Sequence, residues 1–209
     1  MRRDIAMQGF GGTVLRGWFY TPEGAQAAPG IVMAHGFSAV KEMALDPFAR
    51  AFCDAGMSVL AYDHRNLGAS DGEPRQEINL WAQARDYRYA ISWLAKQPEV
   101  CADRIGIWGS SFSGGEVIVV AACDRRVKAV IANVPFACLP GVDYETAPDT
   151  FAAIRQNLLD ESGSGLADVP GEVMGPLAVV EEQGNDPPVF LGSQEASKWF
   201  RAVGRLPES

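Results

Sequence analysis

Histidine is almost missing from this chain of 209 residues: His35 and His64 are the only two, and none follows residue 64. Cysteine is also sparse. Cys53, Cys101, Cys123 and Cys138 are widely spaced, with no Cys-x-x-Cys pair and no histidine nearby, so no zinc or other metal site is expected. Unpaired, buried thiols are the expectation instead. Positive charge is in deficit, with 18 Lys and Arg against 26 Asp and Glu, a net charge of −8 and a pI near 4.8. That balance argues against nucleic acid and anionic membrane surfaces as partners. No apolar run approaches the ~18 residues of a membrane span, and no apolar stretch follows Arg2-Arg3 as a secretory leader would require. A cytoplasmic location is therefore expected. Neither a Gly-x-Gly-x-x-Gly nor a Walker lysine motif occurs, so a nucleotide-binding reading fails and no cofactor is expected.

What is present reads as an ordinary globular protein, 47% hydrophobic and 21% charged. Residues 5–8 and 13–20 are strand-like and separated by Gly9, Gly11 and Gly12, a hairpin pattern. Short apolar strands are expected at 31–33, 58–62, 105–108 and 127–134. Helices are expected at 42–55, with Gly56 as a stop, and at 112–123. Between them Leu80, Ala84, Tyr87, Ile91 and Leu94 recur at gaps of four and three, one face of a longer helix closed by Pro98. Strands alternating with helices, and apolar on both faces, predict a mostly parallel sheet covered on two sides. From Ala137 the chain turns rich in Pro, Gly, Asp and Glu, with helical patches only at 151–159 and 193–203. The expected division is a core at 1–136 and an irregular, cap-like segment at 137–209.

The chemistry concentrates at residues 104–115, Arg-Ile-Gly-Ile-Trp-Gly-Ser-Ser-Phe-Ser-Gly-Gly. An apolar strand runs into Gly109, then Ser111, then small residues and an apolar helix. Such a turn lifts one serine hydroxyl above the end of a sheet, and it needs small neighbours because strand and helix approach closely. Ser113 competes for that role, but it already lies in the first helical turn, so Ser111 is the candidate nucleophile. The pattern departs from Gly-x-Ser-x-Gly in its fifth position, where Ser113 replaces glycine. His35-Gly36-Phe37 follows an earlier strand, which brings the backbone N–H groups of Phe37 and Phe112 together as candidate oxyanion donors, aided by the helix dipole at Phe112. His35, Gly36 and Gly109 are read as supporting that geometry. His64 could in principle serve as a base, though a loop histidine bonded to Asp71 or to backbone is the preferred reading. Asp63, Arg65, Asp71 and Glu73 are expected to form a polar network around Gly68 and Gly72.

Three segments carry a family resemblance: Val32-Met33-Ala34-His35-Gly36-Phe37, the stretch from Tyr62-Asp63-His64-Arg65-Asn66-Leu67-Gly68 to Arg75, and Gly106-Ile107-Trp108-Gly109-Ser110-Ser111-Phe112-Ser113-Gly114-Gly115. Together they resemble an α/β-hydrolase, and within that superfamily the fungal polyketide transferase and thiohydrolase-like group. The chain is more distantly similar to the Xaa-Pro dipeptidyl-peptidase-like hydrolases. The resemblance implies an α/β-hydrolase fold, with Ser111 taking an acyl group from a small ester or thioester substrate, including polyketide acyl groups, and passing it to water or an alcohol. It also implies an acid and a histidine after the cap, each following a late strand. No histidine follows Ser111, and no aspartate sits after a credible late strand. A truncated hydrolase lacking its last strands is therefore expected, with a sheet edge open to self-association. The alternative is an inactive remnant or binding module of the same fold.

Overall fold

Alternation along each strand decides where the layers form. In the strand β3 (Ala28–Ala34), Val32 and Ala34 join one apolar cluster while Ile31 and Met33 join another on the opposite face. The strand β4 (Ser58–Tyr62) does the same, with Leu60 and Tyr62 on the first face and Val59 and Ala61 on the second. A strand that is apolar on both sides has to be covered on both, and the computed structural model covers it so. It describes residues 1–136, 152, 155–156, 158–159, 179 and 194–203.

Six strands form one sheet in the order β1-β2-β4-β3-β5-β6. The hairpin of β1 (Arg2–Gln8) and β2 (Val14–Tyr20) is antiparallel, with a short 3-10 turn at Phe10–Gly12, and β2 pairs antiparallel with β4. The strands β4, β3, β5 (Val100–Ser110) and β6 (Val127–Asn133) are parallel. One face carries α2 (Leu80–Leu94) and α3 (Phe112–Cys123), whose Ala84, Tyr87, Ile91, Leu94, Val117 and Val120 meet Leu15, Phe19, Val32 and Ile107. The other face carries α1 (Leu45–Asp54) through Leu45 and Ala49. Asn79 caps α2, its side chain accepting from the Ala82 N–H at 3.1 Å.

Register fixes the working edge. Ala34 of β3 pairs with Gly109 of β5 and with Tyr62 of β4, and Ser110 pairs with Asn133 of β6. The segments starting at His35, Asp63 and Ser111 therefore leave the sheet side by side at its carboxyl edge, where parallel α/β sheets place their crevices.

Two sequence expectations shift. The helix expected at 42–55 begins at Leu45, because Ala44 takes a positive φ of 74° that a helix cannot continue through. Cys123 is buried, but Cys53 and Cys101 are partly exposed. Cys53 lies beside the buried stripe of α1, and Cys101 begins a bulge where the pairing of β5 with β3 jumps from Val100 to Ile105; Cys138 lies outside the described residues. The strand β6 is the edge of the described sheet, with Val130 and Ile131 each 40% exposed.

Chain contacts separate two units, Met1–Asp168 and Val169–Ser209. In the first, positions 152, 155, 156, 158 and 159 are helical and Leu158 is buried in the core. In the second, α4 (Gln194–Val203) has Glu195 in its first turn and Arg201 in its last, signs that suit the helix dipole. Most of the cap-like segment expected at 137–209 lies outside the described residues. Among the described residues, no helix is long and apolar enough to cross a membrane.

Candidate active site

The turn between β5 and α3 is strained at one residue. Ser111 has φ 53° and ψ −112°, a conformation that a side chain other than glycine adopts at a cost of about 1–3 kcal/mol. The surroundings hold it there. The Ser111 N–H donates to the Asn133 carbonyl at 2.9 Å, and its own carbonyl accepts from Phe136 N–H at 2.8 Å and Gly115 N–H at 3.2 Å. The flanking glycine is a steric requirement, since a Cβ on Gly109 would lie 2.1 Å from the Ser113 carbonyl oxygen. The Ser111 side chain is half-buried, and its hydroxyl makes no hydrogen bond among the described residues.

The loop after β3 lies directly against this turn. A Cβ on Gly36 would sit 2.9 Å from the Ser111 Cβ, so only glycine lets the loop approach this far. The Phe37 and Phe112 rings meet edge to face at 5.7 Å, and Phe136 stacks on Phe112 at 6.3 Å. His35 spends both ring nitrogens on backbone: Nδ1 accepts from the Gly36 N–H at 2.9 Å, so Nε2–H donates to the Met43 carbonyl. Burial pushes its pKa below the usual histidine range, which keeps the ring neutral.

His64 is buried in the core beside Ser113. It is 2% exposed, and its Nε2 lies 2.7 Å from the Ser113 Oγ. Ser113 is fully buried, facing Glu116 Oε2 at 2.9 Å and the His35 carbonyl. The preferred sequence reading bonded His64 to Asp71 or backbone; the structure gives it the His35 backbone, and Ser113 of α3 as a further buried partner.

The polar loop also differs from expectation, because each charge pairs outside the set expected to hold it. Asp63 binds Lys41 Nζ at 2.6 Å, the Lys41 N–H at 2.7 Å and the Ala69 N–H at 2.9 Å. Arg65 forks onto Asp86 at 2.7 and 2.8 Å and reaches the Phe10 carbonyl at 2.7 Å. Asp71 pairs with Arg16, and Glu73 accepts from the Arg75 N–H at 3.1 Å. The physical reason is burial: Asp63 and Arg65 sit under the turn, where only partners from packed elements can satisfy them.

Lys41, Asp86 and Glu116 were missed from sequence. For Glu116 a signal existed, since it is the one charged residue in the otherwise apolar α3. Among the described residues, no group of three or more His, Cys, Asp or Glu side chains could hold a metal ion.

Comparison with known proteins adds to this geometry. The X-Pro dipeptidyl-peptidase family (S15) matches residues 11–146. The polyketide transferase grgF of Penicillium sp is 33% identical over 205 residues, covering 98% of this chain and 65% of the relative. The thiohydrolase aneE of Aspergillus aculeatus is 41% identical over 143 residues, 68% of this chain and 44% of the relative. The crystal structure of the α/β hydrolase GrgF from Penicillium sp. sh18 matches with a TM-score of 0.71 at 30% identity, covering 100% of this chain and 68% of that one. The fold is that of an α/β-hydrolase, and the chain spans about half to two-thirds of the length of these curated relatives.

Proposed function

The chain belongs to the X-Pro dipeptidyl-peptidase (S15) family, and we propose that within its α/β-hydrolase fold Ser111 is the nucleophile of an acyl hydrolase or acyltransferase. The observation that carries this reading is the strained backbone of Ser111, φ 53°, beneath a hydroxyl at the carboxyl edge of the sheet that has no hydrogen-bond partner among the described residues. Strain at a residue other than glycine persists only where surrounding contacts impose it, and it gathers at reactive positions. The backbone N–H groups of Phe37 and Phe112 serve as the oxyanion hole. The close approach of Gly36 to Ser111 and the contact of the two rings support that pairing. In such a hole each donor contributes about 3 kcal/mol at the transition state.

The substrate class is a small acyl ester or thioester, supported by relatives named polyketide transferase and thiohydrolase. Attack by the Ser111 Oγ on the acyl carbon forms a tetrahedral oxyanion, which collapses to an acyl-serine and expels the alcohol or thiol. Water or an acceptor alcohol then takes the acyl group. Neither histidine of the sequence is assigned as base, because His35 is held by backbone on both nitrogens and His64 is bound to Ser113.

Those commitments favour one second reading, a hydrolase fold that captures an acyl group without turning it over. Incubation with an activated acyl ester followed by intact-mass measurement tests both readings. Acylation that maps to Ser111 and is lost in Ser111→Ala supports the nucleophile; slow release of that adduct favours capture over turnover. A folded chain that never acquires the acyl mass contradicts both.

A further inference from the structure

The two faces of the sheet are covered unequally. Two helices, α2 and α3, pack on one face, while α1 packs on the other over β2, β3 and β4. Beside α1 on that second face lies an open cleft of about 330 Å³, a volume within the range of small-molecule sites. Its apolar walls include Ile31 of β3, Phe52 of α1, Met57 and Ile131 of β6. The hollow has a cause in the sequence. Gly106 falls on this face of β5, where a Cβ would meet the Ala129 carbonyl oxygen at 3.3 Å, the Ala129 Cβ at 3.5 Å and the Ile31 Cγ1 at 3.8 Å. The strand has room for a side chain at this point and carries none.

Two cations line the same cleft. Arg104 and Lys128 flank the pair of Ile105 with Val127, where the register of β5 against β6 shifts before Gly106 meets Ala129. Both are exposed, and among the described residues neither forms an ion pair; Lys128 Nζ donates to the Arg125 carbonyl at 3.0 Å. The chain has a net charge of −8, and Arg16, Lys41, Arg65 and Arg126 all take acidic partners. Two neighbouring cations without one depart from that pattern. Like charges repel, and an anion between them relieves both. The shape adds to this. From Met57, just before β4, the cleft crosses β3 and β5 to β6, three strand spacings or about 14 Å. An elongated apolar wall with positive charge at one end matches a chain with an anionic head.

We propose that this cleft binds a carboxylate with an unbranched apolar tail. Arg104 and Lys128 take the head, and the tail runs over the bare floor at Gly106 toward Phe52 and Met57. Removal of the tail from water supplies the attraction, and the two cations select an acid over an uncharged chain. The cleft is separate from the serine turn. Arg104 and Ser111 lie at opposite ends of the part of β5 that pairs with β3, about 20 Å of strand apart. The site therefore stands whether or not Ser111 is a nucleophile.

Isothermal titration calorimetry of the folded chain with octanoate, and separately with octan-1-ol, tests this. Binding of octanoate is expected, with octan-1-ol weaker by about tenfold for want of the charged head. Replacing both cations, Arg104→Gln together with Lys128→Gln, should weaken octanoate by about the same factor and leave octan-1-ol unchanged. Both positions are exposed, so the double variant keeps the fold. Gly106→Val fills the floor and should abolish binding of both compounds. If that variant does not fold, Ile131→Glu sets a like charge on the wall at a 40% exposed position and should weaken octanoate more than octan-1-ol. No binding of octanoate, or binding that the double variant leaves unchanged, overturns the proposal. So does a dimer dissociated by Ile131→Glu in place of octanoate binding, which would assign this face to a second copy of the chain.

Discussion

Ser111 and Ser113 stand two residues apart in one turn and have opposite environments. Ser111 has a strained backbone and a half-buried hydroxyl with no partner among the described residues. Ser113 has helical backbone and a fully buried hydroxyl among polar neighbours that include His64, Glu116 and the His35 carbonyl. The comparison separates two uses of the same side chain. On the function proposed above, the first position holds the reacting group at a cost in stability, and the second holds the scaffold still.

The largest expected effect removes the turn that both serines share. Gly109→Ala drives a methyl group to within 2.1 Å of the Ser113 carbonyl oxygen, and backbone cannot swing aside as a side chain tip can. Destabilisation of about 3 kcal/mol is expected in urea unfolding. A loss below about 1 kcal/mol would show that the turn is looser than its geometry implies.

Next comes the pH dependence of the buried cluster. Glu116 loses its proton near 4.5 in the unfolded chain but near about 8 in the native protein, so the native state binds more protons in between and stability falls as pH rises. His64 works the other way. It protonates near 6.5 when unfolded and near about 3 when native, so stability rises with pH up to 6.5. The two slopes cancel from 4.5 to 6.5, and Glu116 acts alone from 6.5 to about 8, with a loss of about 2 kcal/mol. Unfolding midpoints measured across that range should decline in wild type and stay level in Glu116→Gln. A decline common to both proteins would assign the proton elsewhere.

The smallest effects should differ in sign between the two serines. Ser113→Ala removes a buried hydroxyl that bonds both His64 Nε2 and the His35 carbonyl and should cost about 2 kcal/mol. Ser111→Gly relieves the positive φ and should gain about 1 kcal/mol after the added chain entropy of glycine is subtracted. Thermal unfolding of the two variants side by side checks this, and equal signs would erase the distinction.

The sheet and its helices were largely readable from sequence because their signals are local. The helix expected at 112–123 has those limits in the structure, and the face predicted from Ala84, Tyr87, Ile91 and Leu94 is buried. The strained turn was equally local, announced by Gly109 and the small residues around Ser111. What sequence could not give was the choice of partners. Asp63 takes Lys41 from 22 positions away and Arg65 takes Asp86 from 21, pairings that exist only after the sheet order brings their elements together. The loop charges looked self-contained because they are neighbours in the chain, but burial obliges Asp63 and Arg65 to find partners outside the loop.

The account turns on which serine reacts. Exposure of the folded chain to a fluorophosphonate, followed by peptide mapping, measures this directly. The phosphonyl group is expected on the Ser111 Oγ, absent from Ser113, and lost in Ser111→Ala. A label on Ser113 or on any other residue, or a folded chain that stays unlabelled, would contradict the assignment of Ser111 as nucleophile.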